Sequence, residues 1–189
     1  MKKIIFPLLF LILTGCGGQY SPKPRGFFRI DFPEKQYQHF DDGCPFVFDF
    51  PIYATVEPDQ GHDAKACWLD VVYPQFNARL HLSYFPVSEQ TPLRELTEDA
   101  RKFAFSHSVK ASGIQQERIA IPEQEVHGLW YEIQGNVASG LQFFLTDSSG
   151  HYLRGALYFN ENPRRDSIQP VMDFLEEDLK VLIQSTRWK

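Results

Sequence analysis

"CWLDVVYPQFNARLHLSYF" occupies residues 67–85, and its period decides the fold. Leu80, Leu82 and Tyr84 alternate with Arg79, His81 and Ser83. Strict alternation of this kind belongs to a strand with one buried face. The preceding run, Cys67 to Pro74, is rich in β-branched and aromatic residues, and Pro74 to Asn77 is a short connection. Two such runs across so short a link predict an antiparallel hairpin.

The same period recurs on both sides of the hairpin. In "CPFVFDFP" (44–51), Phe46, Phe48 and Phe50 share a face and Pro51 ends the strand. Tyr53 to Val56 continues it briefly, and 58–65 is a polar loop. Further strands are expected at Glu117 to Ile121, Leu129 to Val137, Leu141 to Thr146 and Tyr152 to Phe159. Asp147-Ser148-Ser149-Gly150 is the turn between the last two.

Two segments change period. Leu93, Leu96, Ala100, Phe103, Ala104 and His107 recur at three and four, which predicts an amphipathic helix over 92–108. Thr91 is its cap and Pro92 suits its first turn. Ile168, Val171, Leu175, Leu179 and Leu182 form a second stripe, with Asp166 or Ser167 as cap and Trp188 at the frayed end. Hairpin-linked strands with inserted helices give an α+β class, a largely antiparallel sheet with helices on its faces. A single sheet with one helix on each face buries both stripes. The arrangement resembles the Mog1/PsbP-type α/β/α sandwich, a likeness of fold that carries no function.

The N-terminal residues predict export. Lys2 and Lys3 precede the apolar stretch Ile4 to Leu13, and Thr14 and Gly15 are small, which is the build of a signal peptide over 1–15. The stretch is shorter than the roughly 20 apolar residues that span a bilayer. Pro7 and the glycines at 15, 17 and 18 argue against a buried core helix. Leu13-Thr14-Gly15-Cys16 resembles the bacterial lipobox. In that pathway the Cys16 sulfur receives a diacylglycerol, the signal is cut before it, and the new amine takes a fatty acyl chain such as palmitate. Several chains on one residue anchor far more firmly than one. Residues 16–26 then read as the lipidated cysteine and an extended tether, and 27–189 as one globular domain.

Loss of Lys2 and Lys3 leaves 17 of the 19 basic residues against 24 acidic ones, so the mature protein is near −7. An acidic domain has no general attraction to nucleic acid or anionic lipid. Attachment therefore rests on acyl chains. Of the three cysteines, Cys44 and Cys67 remain. In an exported chain a disulfide between them is the expectation, with two buried thiols as the alternative.

A set of segments carries a family resemblance. "YSPKPRGFFRIDFPEKQY" (20–37) directly after the lipobox, the 44–51 and 67–84 strands, and "GLQFFLTDSSGHYLRGALYFNENPRRDS" (140–167) resemble the gliding-motility lipoprotein GldD family over essentially the whole chain. The resemblance implies a non-catalytic envelope lipoprotein of Bacteroidota-type bacteria. Such a protein supports assembly or stability of the gliding and type IX secretion machinery through contacts with other envelope lipoproteins. It transfers a role to Cys16 alone. Gly17 is not the aspartate that usually retains lipoproteins at the inner membrane, and "GGQYS" lacks an acidic export cluster. The expected place is the outer membrane, facing the periplasm.

Nothing in the residues points strongly to catalysis. No HExxH or paired-histidine spacing, G-x-S-x-G elbow, P-loop or dinucleotide-binding glycine pattern occurs, so no metal and no cofactor is expected. His62 and Asp63 are the best metal candidates, in a polar loop. His107 reads as a core histidine, His81 as part of a solvated or helix-covered face, and Glu176-Glu177-Asp178 as a solvated helix face. Asp166-Ser167-Ile168 resembles a three-residue O-glycosylation site, although a helix cap explains it too. Aromatic residues make up 15% of the chain, and around Arg25, Phe27, Phe28, Arg29 and Phe32 they follow no core period. These five are the candidate partner-binding residues, with Arg164-Arg165 weaker. The rival function is a small periplasmic ligand carrier or hydrolase, with a cleft lined by the aromatic strands and His81.

Overall fold

The computed structural model describes residues 29–106, 111–160 and 165–189, with side chains from Ser167 onward in the last segment. The signal peptide, Cys16, the tether, Arg25, Phe27, Phe28, His107, Arg164 and the side chains of Arg165 and Asp166 lie outside the described residues. The chain divides between Ile30 and Asp31, and every described strand and helix belongs to the compact unit Asp31–Lys189.

The strands are β1 (Tyr37–Phe40), β2 (Phe46–Pro51), β3 (Thr55–Pro58), β4 (Leu69–Tyr73), β5 (Ala78–Pro86), β6 (Ala111–Ile121), β7 (Val126–Gly135), β8 (Leu141–Thr146), β9 (His151–Phe159) and β10 (Arg187–Trp188). The helices are α1 (Leu93–Ser106) and α2 (Arg165–Ser185). All strand pairings are antiparallel, as the hairpin predicts. They build two sheets, not one. Seven strands run in the order β3-β4-β5-β9-β8-β7-β6, and three in the order β1-β2-β10.

The reason for the second sheet lies in "FVFDFP". Phe46 and Phe48 are wholly buried, and β2 packs against α2 rather than joining the large sheet. Its edges are then covered by β1 and by β10. Trp188 is therefore not frayed: Trp188 pairs with Phe46, its Nε1 donates to the Glu125 carbonyl at 3.3 Å, and its ring stacks on His151. The disulfide between Cys44 and Cys67 ties the start of β2 to the approach to β4, so it staples the two sheets together.

The two faces of the large sheet carry different cores. Leu69, Val71, Leu80, Leu82, Phe143, Leu145 and Leu153 face the layer formed by β2 and by Leu175, Leu179 and Leu182 of α2. Each such side chain contributes roughly 1.5–3 kcal/mol on burial. On the opposite face, Ala100 and Ala104 of α1 pack on Tyr131, Ile133, Phe144 and Tyr152. Phe103 belongs to neither core; it is 52% exposed, and Phe105 packs inward in its place. α1 reaches β8 and β9. Among the described residues the β4–β5 half of that face is left without a helix, and this decides where polar side chains can meet.

Two hairpins use one device. Pro74–Phe76 and Pro122–Gln124 are single 3₁₀ turns opened by proline and closed by a left-handed residue, Asn77 (φ 49°) and Glu125 (φ 53°). Asparagine suits that conformation; glutamate does so at a cost. The second hairpin explains why β6 runs from Ala111, well before the expected Glu117. Its exposed Gln115, Gln116, Glu117 and Arg118 interrupt the apolar pattern while the backbone pairs with β7 without a break from Gly113 to Ile121. Gly128 of β7 is obligatory, since a Cβ there would lie 1.8 Å from the Phe144 carbonyl oxygen.

The 147–150 turn closes as its sequence predicts. Asp147 Oδ1 accepts backbone N–H bonds from Ser149, Gly150 and His151 at 2.9–3.0 Å, and Oδ2 accepts from the Ser149 hydroxyl. Partial burial pushes its pKa up, but the backbone donors outweigh that and hold it down at about 2. A depressed carboxylate stabilises the fold above its unfolded pKa and loses that contribution as pH falls through the folded one. Asp147→Ala should therefore flatten the stability profile between about pH 4 and about pH 2. Urea midpoints across that range, compared with the parent protein, check it.

Candidate functional site

The uncovered half-face gathers polar residues by register alone. Asp70 of β4 lies opposite His81 of β5, which lies opposite Ala156 of β9, which lies opposite Gln142 of β8. One row along, Arg79 faces Tyr158; in the other direction Ser83 faces Arg154. All point away from the Leu80–Leu82 core, because successive strand residues alternate faces. Ala156 and Ser83 are small, so the centre of this patch is a shallow, open depression. It is lined by Asp59, His81, Ser83, Arg154, Ala156 and Tyr158.

Asp70 organises it from beneath. The residue is only 2% exposed. Arg79 Nη1 donates to its Oδ2 at 2.6 Å. His81 Nδ1 lies 2.5 Å from its Oδ1, an approach outside hydrogen-bond alignment, so that this buried oxygen has no well-formed donor. The His81 ring meets Tyr158 edge-on at 5.4 Å. Arg154 has no carboxylate partner among the described residues; it donates to Gln142 Oε1 at 3.0 Å and lies 4.6 Å over the Phe103 ring. Gln142 Nε2 is buried and unpartnered. Asp70 holds Arg79 through a hydrogen-bonded ion pair and lies against His81, while Arg154 donates to a neutral amide. Such a patch offers hydrogen-bond donors to an acceptor or an anionic group, in an open setting where solvent screens them.

Of the expected partner-binding residues, Arg29 and Phe32 are described. Phe32 stacks on Phe174 of α2 with ring centroids 4.4 Å apart, and Phe76 and Tyr53 complete the cluster. One face of Phe32 is thus taken internally, and the residue remains 39% exposed. Arg29 is exposed at the start of the described residues. Lys35 reaches Asp178, its Nζ donating to Oδ1 at 2.7 Å and to the Phe174 carbonyl at 2.6 Å. Tyr37 donates to the same Oδ1 at 3.0 Å and Tyr53 to Oδ2 at 2.5 Å. Asp178 is therefore no part of a solvated face; its side chain is fully buried, beside Glu177, which is exposed. Burial and the adjacent carboxylate push the Tyr37 and Tyr53 hydroxyls well above their ordinary range, so both remain donors. This network clamps Lys35 and Tyr37, ahead of and within β1, onto α2.

The remaining candidates do not converge. His62 and Asp63 are exposed and 3.2 Å apart. Among the described residues, no group of three or more His, Cys, Asp and Glu residues could hold a metal ion. Sequence reasoning singled out His81 with Arg79 and Ser83, and missed Asp70, Arg154 and Tyr158. A signal was present: Asp70 is the one charge in an otherwise apolar strand, and Arg154 and Tyr158 flank Ala156 at period two.

Residues 17–188 match the family model described as gliding motility lipoprotein GldD. No curated protein matches the chain. Among solved structures, the chain is similar to cyanobacterial PsbP (CyanoP) from Synechocystis sp. PCC 6803. The identity is 14%, the TM-score 0.47, and the match covers 94% of this chain and 99% of that one. The family match spans nearly the whole chain, and the chain belongs to the GldD gliding-motility lipoprotein family.

Proposed function

We propose that this member of the GldD family is held in the envelope by acyl chains on Cys16. There it supports assembly or stability of the gliding and type IX secretion machinery by contact with other envelope lipoproteins. The family match over residues 17–188 carries the reading. Among the described residues no helix is long and apolar enough to cross a membrane, which suits attachment through lipid. The structural style suits a contact protein: aromatic side chains fill the interior, and the concentrated polar chemistry lies on an open sheet face. The protein faces the periplasm, with the outer membrane favoured, and acts without catalysis. A second reading is a small ligand carrier or hydrolase centred on the same face. What favours it is the buried Asp70 carboxylate beneath His81, whose Nδ1 lies 2.5 Å from Oδ1.

Cys16→Ser tests the anchor. The variant should leave the membrane fraction as soluble protein, or stay unprocessed, and cells should lose gliding. Normal processing, fractionation and motility of the variant would overturn the lipid-anchored reading.

A further inference from the structure

The two edges of the large sheet are unlike. β3 is four residues long and carries Glu57 and Pro58, devices that discourage edge pairing. β6 has 11 residues, contains no proline, and pairs on one side alone among the described residues. Its outer side presents backbone N–H and C=O groups in a row, the chemistry that accepts another extended chain.

The side chains beside that edge add selectivity. Glu117, Ile119 and Ile121 lie opposite Trp130, Gly128 and Val126 of β7, and Trp130, Ile119 and Ile121 pack in the α2-side core. Between this part of β6 and α2 runs a groove of about 230 Å³, floored by Trp130 and walled by Ile119, Lys180 and Ile183. Arg118 lies on the other face, the one shared with Ile114 and α1. Glu117 and Arg118 are both exposed, and neither has an ion-pair partner among the described residues. Lys180, the nearest base in the groove, is already paired with Glu176 at 2.7 Å.

We propose that the outer edge of β6 docks an extended segment of a partner envelope protein, added as a further antiparallel strand. A basic residue of that segment lies opposite Glu117, an acidic one opposite Arg118, and an apolar one opposite Ile119 enters the groove. Read along the partner chain, the order is apolar, acidic, basic. A second copy of this chain does not fit. In a two-fold antiparallel pair, opposed residues share a face. Glu117 and Arg118 occupy opposite faces, so no register sets one against the other, and each meets a neutral residue or its own like. The inference rests on the proposed contact role and names its surface.

A photo-crosslinking residue at Gln116, in the full-length lipidated protein in cells, tests it, with the same residue at Glu98 on α1 as reference. The expected result is a crosslink from position 116 whose peptide, identified by mass spectrometry, belongs to another envelope protein and carries the apolar–acidic–basic order. The double variant Glu117→Lys/Arg118→Glu should lower its yield about tenfold, because reversed charges oppose both partner charges. Its membrane fractionation and thermal midpoint should remain unchanged. A crosslink to a second copy, to a helix or to a segment lacking the order, or a yield indifferent to the reversal, would overturn the proposal. Crosslinks to envelope proteins from position 98 alone would refute the edge while leaving the contact role intact; none from either position would refute both.

Discussion

Asp178→Ala should lower the stability of the domain by about 3–5 kcal/mol, the largest effect expected of any polar substitution in it. The carboxylate is fully buried and accepts from Lys35, Tyr37 and Tyr53 at once. Removing it leaves an ammonium and two hydroxyls half-buried without their acceptor, and that uncompensated desolvation is the costly part. The same change should loosen the 31–37 segment from α2, so limited proteolysis should cut there before the rest unfolds. Glu177→Ala is the control. Its carboxylate is 70% exposed and 3.8 Å from Lys35, a contact worth little in water. Denaturant midpoints measured side by side decide the matter, and equal shifts for the two variants would contradict a buried network.

The paired change Cys44→Ser/Cys67→Ser should cost about 3 kcal/mol, as expected for opening a loop closed across a separation of 23 residues. The bond joins the small sheet to the large one, so its loss lets β2 and α2 separate from β4 more readily. Alkylation of the native protein should label neither cysteine, and non-reducing mass spectrometry should recover a peptide linking Cys44 to Cys67. Two alkylated thiols in the native exported protein would reject the bond. With dithiothreitol the parent protein should fall to the midpoint of the double variant.

The two variants report on one architectural fact. α2 is held from three directions: by the large sheet beneath it, by β2 beside it, and by the 31–37 segment through Asp178. Little of this was legible along the chain. The stripe Leu175, Leu179, Leu182 announced an amphipathic helix, and the same rule that found it assigned Asp178 to the polar side with Glu176 and Glu177. Helical spacing gives the direction of a side chain from its own axis, not the identity of what will cover it. Lys35, 143 positions away, is what turns that position inward.

The outer sheet face divides the same way. Alternation in "ARLHLSYF" put Arg79, His81 and Ser83 on one face, and the structure has them there. Whether that face would be covered depended on how far α1 extends across the strands, which no local pattern encodes. Trp188 illustrates the converse. A two-residue strand has too little pattern to read, and its place in the small sheet follows from the exposed edge of β2 needing a partner.

The sequence by itself determined most of the strands, both helices, the antiparallel hairpins, and the family. These follow from short-range rules: side-chain periods of two and 3.6, turn residues, and contiguous motifs. Tertiary structure alone decided that there are two sheets, that Asp178 is buried, and that Asp70, His81 and Arg154 meet on one open face. It also decided that β6 is a long edge among the described residues. Each depends on which distant strand or helix lies alongside, a choice made by the summed packing of the whole domain.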